Sequence, residues 1–238
     1  MSSLLDAPLT STHPDLEPEF AHVHASCAPY TMTSVERMYA LWQAVGHVVR
    51  HGVAGDVVEC GVWRGGSSML AALALLTHGA SDRGLWLFDT FEGMSDPTEH
   101  DVEAQTGLRV DQHWEHLRLQ RESHLFAYAS LREVQTNMAM IPYPEDRVHF
   151  VQGKVEDTLP AQAPERIALL RLDTDWYAST RHELEQLWDR LQPNGVLIID
   201  DYGHWAGARE AVDEFFAGRA DAPLLSRIDY TGRIGIKR

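Results

Sequence analysis

Apolar positions along the chain fall into two patterns, short unbroken runs and longer stretches with a helical repeat. Met38, Leu41, Trp42, Val45, Val48 and Val49 recur at the spacing of one helical face. That stretch opens on Thr33-Ser34-Val35-Glu36, the spacing of a capping box, and closes at Gly52 and Gly55. DVVEC (56–60) is a β-branched run that enters a Gly-rich turn and then the apolar SSMLAALALL (67–76). LWLFDTF (85–91), VHFVQG (148–153), IALLRLD (167–173) and VLIID (196–200) are four further strand-like runs. Between the last two, Leu184, Leu187, Trp188 and Leu191 mark a helical face, and Pro193-Asn194-Gly195 predicts a turn. Residues 208–216 read as a short helix, and LLSRIDYTGRIGIKR (224–238) alternates about Thr231-Gly232 as an antiparallel hairpin does.

Unbroken apolar strands alternating with helices predict an α/β fold: a mostly parallel sheet with helices on both faces, closed by the C-terminal hairpin. Such sheets bind ligands outside the carboxyl ends of their strands. Those ends are acidic or glycine-rich here, at Glu59 to Gly61, Asp89, Gly153, Asp173 and Asp200-Asp201. Residues 92–147 break the alternation. They are polar, with helical hints around 114–125, and read as a lid insertion that binds an acceptor. The first 29 residues, rich in Pro, Ser, His and acids, predict a loose arm or cap, so residues 1–33 and 92–147 are expected as appendages of one domain spanning 1–238.

Composition narrows the partners. The chain has 238 residues, 44% hydrophobic and 23% charged, with a net charge of −15, which argues against nucleic acid or an anionic membrane as a partner. Two cysteines, Cys27 and Cys60, make neither a disulfide framework nor a Cys-rich zinc site. The N-terminus lacks the pattern of a signal peptide, and the run MLAALALL (69–76) is too short to span a bilayer, so a cytoplasmic location is expected.

ECGVWRGGSS (59–68) follows a strand and opens a helix, as nucleotide-binding turns do. A dinucleotide site needs glycine where Trp63 stands, because a large side chain there obstructs a pyrophosphate. Glu59 before the turn suits an ammonium group better than phosphate, and Asp89 is placed to accept two ribose hydroxyls. An amino acid joined to a nucleoside without phosphate meets these demands: S-adenosylmethionine.

The motif E-x-G-x-x-x-G-x-S, carried by Glu59, Gly61, Gly65 and Ser67, resembles the first motif of class I methyltransferases, catechol O-methyltransferase in particular. GKVEDTLP (153–160) resembles the segment after that enzyme's third strand, which implies that Gly153, Val155 and Glu156 border the cofactor, the last two at the adenine. YTMTSVER (30–37), VECGVWRGGSS (58–68), FDTFEGMSDPT (88–98) and LIIDDYGHW (197–205) together resemble the macrocin O-methyltransferase family, which methylates sugar hydroxyls in natural-product biosynthesis. The resemblance runs over roughly residues 30–205. It implies a class I methyltransferase sheet, a Mg²⁺-dependent enzyme using S-adenosylmethionine, and a homo-oligomer. It also implies that Thr31, Met32 and Ser34 close over the cofactor.

If the strands ending at Asp173 and at Asp200-Asp201 are neighbours, three carboxylates converge beside the cofactor turn, where Asp173 also borders the cofactor. Without a counter-charge they repel one another; a hard cation relieves this, and all-oxygen ligands select Mg²⁺, Mn²⁺ or Ca²⁺. The metal positions of catechol O-methyltransferase match Asp173, Asp200 and Asp201, although that enzyme carries Asn at the last. Its catalytic lysine corresponds to Trp176 here, which removes a lysine base. The resemblance to the sugar-methylating family implies Asp175 as the base, with His204 as its rival and helix capping as the alternative role of Asp175. Trp176 and Tyr177 either wall a sugar ring or pack a helix start. His100, His113, His116 and His124 read as a solvated face of the lid rather than a metal site. The rival readings are a phenolic methyltransferase, an NAD-linked oxidoreductase and a non-catalytic binding protein that kept the fold.

Overall fold

The computed structural model describes residues 13–117, 119 and 126–238. Helix α1 (Pro18–Cys27) packs against α2 (Val35–Arg50), and strand β1 (Asp56–Cys60) leads into α3 (Gly66–Thr77) and β2 (Leu85–Asp89). Among the described residues, the stretch after β2 holds the short α-helices α4 (Trp114–Leu117) and α5 (Leu131–Met138), before β3 (Val148–Gln152) and the single turn α6 (Val155–Thr158). The chain then runs through β4 (Ile167–Leu172), α7 (Tyr177–Leu187), β5 (Leu191–Ile199), α8 (Ala206–Phe216), β6 (Ser226–Arg227) and β7 (Arg233–Ile236). No described helix is long and apolar enough to cross a membrane.

These strands form one seven-stranded sheet in the order β3-β2-β1-β4-β5-β7-β6. The first five are parallel, and β7 pairs antiparallel with both β5 and β6, as the alternating C-terminal segment predicts. Strand order reverses between β1 and β4: the chain steps outward through β2 and β3, then returns to the other side of β1. That reversal opens a crevice at the carboxyl ends of β1 and β4, where doubly wound sheets bind ligands. β4 is buried at every position, as a central parallel strand must be.

Local sequence explains most elements and corrects some expectations. The cap of α2 is Ser34 rather than Thr33: its hydroxyl accepts the Arg37 amide at 3.2 Å. The N-terminal region is ordered from α1 onward, because Phe20 and Cys27 are buried and Phe20 meets the Tyr39 ring edge-on at 5.0 Å. Residues 1–12 lie outside the described residues. Pro193-Asn194-Gly195 does not end the approach to β5 but sits inside it, with Asn194 at φ 64° and a register shift in the pairing with β4. Within the stretch read as a polar lid, α5 starts on Ser130, whose hydroxyl accepts the Glu133 amide, and it buries Val134 and Met138 in the core beside α3. Ser130 and Glu133 have capping-box spacing, a signal open to sequence reading.

Candidate active site

A cavity of about 300 Å³ lies in the crevice at the carboxyl ends of the strands. Its floor is the turn after β1. Gly61 stands at φ 82°, and a Cβ there would collide with the Asp173 carbonyl, so glycine lets this turn close against the end of β4. Asp89 clamps the same turn: Oδ2 accepts the amides of Val62 (2.7 Å) and Trp63 (3.0 Å), and Oδ1 accepts that of Phe91 (2.7 Å). Burial pushes the Asp89 carboxyl up, and these amides offset only part of the rise. The clamp holds Trp63 at φ 47°, with its side chain among the cavity's lining groups.

Most residues expected around the cofactor share this cavity. Thr31, Met32, Gly61, Trp63 and Ser67 line it, as do Asp89, Gly153, Val155, Glu156 and Asp173. Ser34 and Glu59 do not. Ser34 is committed to its helix and donates to Asp229 Oδ2 at 2.7 Å. Glu59 is buried beneath the turn, where Ser68 donates to Oε2 and Arg171 donates to Oε1 at 2.6 Å, so its charge is matched by protein and not by a ligand's ammonium group.

Arg171 was not singled out from sequence, although a charged residue within an apolar strand is itself a signal. It is 3% exposed and ties four groups together: Glu59, Asp173 Oδ2 at 2.7 Å, Asp200 Oδ1 at 2.6 Å and the Thr33 hydroxyl at 3.1 Å. Arg37, from α2, donates to the second oxygen of Asp200 and to Asp229 Oδ2 at 3.0 Å. Both guanidinium pKa values are raised by these carboxylates despite the opposing effect of burial.

The carboxylates that converge are therefore not the set read from the strand ends. Asp173, Asp175 and Asp201 each bring an oxygen within 4.8 Å of the others, while both oxygens of Asp200 face guanidinium groups. Asp175 reaches this cluster through a left-handed backbone, φ 66°, which an L-residue adopts at a cost of about 1 kcal/mol. Burial pushes its carboxyl up to about 7, reinforced by the charges of Asp173 and Asp200 and opposed by hydrogen bonds with Asp201 and Trp205. Asp173 and Asp201 are driven up by burial and by neighbouring carboxylates, and Arg171 and Arg37 respectively work in the opposite direction. Asp201 Oδ2 is buried without a hydrogen-bond partner. Below the cluster, fully buried Glu183 accepts the Thr174 hydroxyl at 2.9 Å through Oε1, and its Oε2 has no partner.

His204 lines the cavity but stands outside the carboxylate cluster among the described residues. Burial lowers its pKa, which favours the neutral imidazole, and its Nδ1 lies 3.3 Å from the Tyr230 hydroxyl. Trp176 is packing: buried among Trp114, Trp205, Phe126 and Ala208, it donates its indole N–H to the Ser95 carbonyl at 2.9 Å. Tyr177 also turns elsewhere, stacked on His100 at 4.3 Å and bonded to Glu214. The insertion is fastened by Asp101, fully buried, which accepts the Tyr177 amide at 2.8 Å and the Thr98 amide at 2.6 Å and so caps α7 from outside the helix. His100 pairs with Glu210, His113 and His116 are exposed, and His124 lies outside the described residues. The described lid histidines form no shared ligand site.

The model of the macrocin O-methyltransferase (TylF) family matches residues 20–234. The chain is 35% identical over 233 residues to 8-demethyl-8-(2,3-dimethoxy-α-L-rhamnosyl)-tetracenomycin-C 4'-O-methyltransferase of Streptomyces olivaceus, covering 95% of this chain and 84% of that one. It is 37% identical over 203 residues to mycinamicin III 3''-O-methyltransferase of Micromonospora griseorubida, covering 85% of this chain and 76% of that one. Among solved structures, the O-methyltransferase NovP superposes with a TM-score of 0.74 at 33% identity, over 87% of this chain and 81% of the other.

Proposed function

The chain belongs to the macrocin O-methyltransferase family and is an O-methyltransferase; we propose that it carries the methyl group of S-adenosylmethionine to a sugar hydroxyl of a glycosylated natural product, with the help of a divalent cation. One observation carries this reading: a trio of acids opens into the same cavity as the glycine turn. The sugar acceptor is supported by the rhamnosyl substrate that one relative's name prints. The donor set fits a hard cation, since it is all oxygen and includes the partnerless buried Oδ2 of Asp201. Mg²⁺ is the proposed ion, and Mn²⁺ and Ca²⁺ share its donor chemistry.

When bound, S-adenosylmethionine supplies an electrophilic methyl group and the cation a positive charge that makes a nearby hydroxyl more acidic. The protein's part is to hold, orient and accept a proton. Trp63, Asp89, Val155 and Glu156 border the nucleoside end of the cavity, and Thr31 and Met32 cover it. Asp173 and Asp201 hold the cation. Asp175 takes the acceptor's proton on a carboxylate oxygen, from a position beside the two carboxylates that hold the cation. Asp200, Arg37 and Arg171 brace the cluster from behind.

Calorimetry on chelator-treated protein tests the reading. S-adenosylmethionine should bind and NAD should not; NAD binding in its place would sink the methyltransferase cofactor assignment. Mg²⁺ should give a separate heat that Asp201→Asn abolishes. Asp200→Asn decides the ligand set: retained Mg²⁺ binding supports Asp173 and Asp201 as the ligands, whereas loss means that Asp200 exchanges Arg37 for the ion. Turnover of Asp175→Asn should fall by about a hundredfold or more, and near-full turnover would remove Asp175 as the base.

A further inference from the structure

The cavity has an aromatic wall that none of the strand-end motifs accounts for. It is built at the turn between β6 and β7. Asp229 Oδ1 accepts the amides of Thr231 (2.9 Å) and Gly232 (2.7 Å), while its Oδ2 accepts from Ser34 and Arg37. The Thr231 hydroxyl donates to the Asp200 carbonyl at 2.8 Å, and the Gly203 amide donates to the Thr231 carbonyl at 2.9 Å. A Cβ on Gly203 would collide with the Tyr230 carbonyl, so the approach of the acid loop to this turn needs glycine. The turn is thus fastened to α2 and to the loop that carries Asp200 and Asp201.

At its centre Tyr230 is nevertheless 48% exposed and lines the cavity. Its ring stands edge-on to His204 at 6.0 Å, with its hydroxyl on His204 Nδ1, and His204 in turn rests edge-on against buried Trp205 at 4.6 Å. Met32, also 48% exposed, lines the same cavity. The restraints act on the residues either side of Tyr230, so its side chain is held open at the cavity where it gains little from packing. Such a ring with a polar tip suits a ligand that has both apolar faces and hydroxyl edges.

We propose that Tyr230 and His204 form the acceptor-sugar subsite, the Tyr230 ring covering a C–H face of the sugar and the His204 imidazole meeting one of its oxygens. This rests on the sugar-methylation reading and deepens it. It gives His204 the work of recognition and leaves proton transfer to Asp175. Tyr230 carries no part of the carboxylate cluster, so its loss affects acceptor binding and leaves the cofactor and cation sites intact.

The test is calorimetric binding of methyl α-L-rhamnopyranoside to the full chain saturated with S-adenosylhomocysteine and Mg²⁺, with catechol as the planar comparison. Tyr230→Ala should weaken rhamnoside binding about tenfold, the loss expected of a truncated aromatic anchor. Tyr230→Phe should recover most of it, and both variants should bind S-adenosylhomocysteine like the parent. Unchanged rhamnoside affinity in Tyr230→Ala overturns the subsite and leaves the sugar reading standing. Parallel loss of S-adenosylhomocysteine binding also overturns it, by making Tyr230 part of the cofactor wall. A parent protein that does not bind the rhamnoside, whatever it does with catechol, overturns the sugar reading itself and the subsite with it.

Discussion

Two groups of buried carboxylates share Asp173, and they are balanced in opposite ways. On one side Glu59 and Asp200 are held by Arg171, and Asp200 by Arg37 as well. On the other side Asp175, Asp201 and Glu183 have no ion-pair partner among the described residues, and all three carboxyls are pushed up. Buried charge is expensive in both places. For Glu59 and Asp200 the chain supplies its own guanidinium groups, and α2 and β1 are cross-linked to β4 and the end of β5, even though Asp200 and Arg37 also line the cavity. Asp175 and Asp201, which line the cavity, and Glu183 beneath them are left without a guanidinium partner among the described residues, the arrangement on which the proposed cation site rests.

Removing the internal counter-charge gives the sharpest break in this contrast. Arg171→Leu leaves Glu59 and Asp200 facing an apolar side chain, and it should destabilise the protein by about 3–5 kcal/mol, read from urea unfolding. Arg171→Lys keeps the charge but not the planar fork, so it should lose less. A change under about 1 kcal/mol for the leucine variant would mean that these carboxylates protonate readily and that the two groups do not differ in kind.

The unbalanced side should respond with the opposite sign. With its carboxyl at about 7 in the folded chain against an ordinary 3.8, Asp175 opposes folding fully above pH 7. That opposition fades as pH falls toward the unfolded value, because the folded state takes up the proton first. In the absence of divalent cations, Asp175→Asn should therefore be more stable than the parent by up to about 4 kcal/mol at pH 8, with the gap closing near pH 4. Asparagine tolerates the left-handed backbone, so no new strain is introduced. A gap that does not vary with pH would show that Asp175 is ionised in the folded protein and already balanced.

How much of this was legible in the sequence follows the same division. The strands, the glycine turn and the placing of the acids at the carboxyl ends were legible, because apolar runs and turn residues act locally. Which acids cluster was not. The backbone of Asp175 is left-handed, and Asp200 is claimed by Arg37 from 163 positions earlier, so neither fact follows from strand-end spacing. Glu59 was assigned to a ligand because its partner, Arg171, becomes its neighbour only when β4 pairs with β1. Tyr230 reaches the cavity because β7 lies beside β5, an order that alternation within the hairpin does not state. Trp176 and Tyr177 looked equally able to pack or to bind, and the fastening of the insertion through Asp101 turned both toward packing.

The finest test of the contrast lies at Thr33, where the balanced network meets the cavity. The Thr33 hydroxyl donates no counter-charge; it only accepts one Arg171 N–H, at 3.1 Å. If the network is held by its charges, one neutral acceptor adds only an ordinary hydrogen bond. Thr33→Val keeps the shape and removes that acceptor, so it should lower stability by about 1 kcal/mol and leave Mg²⁺ affinity within about twofold of the parent. A loss near that of Arg171→Leu would instead mean that the guanidinium needs every partner to stay in register. The segment covering the cavity would then be coupled to the acids through Arg171, and S-adenosylmethionine binding in Thr33→Val would fall together with Mg²⁺ binding.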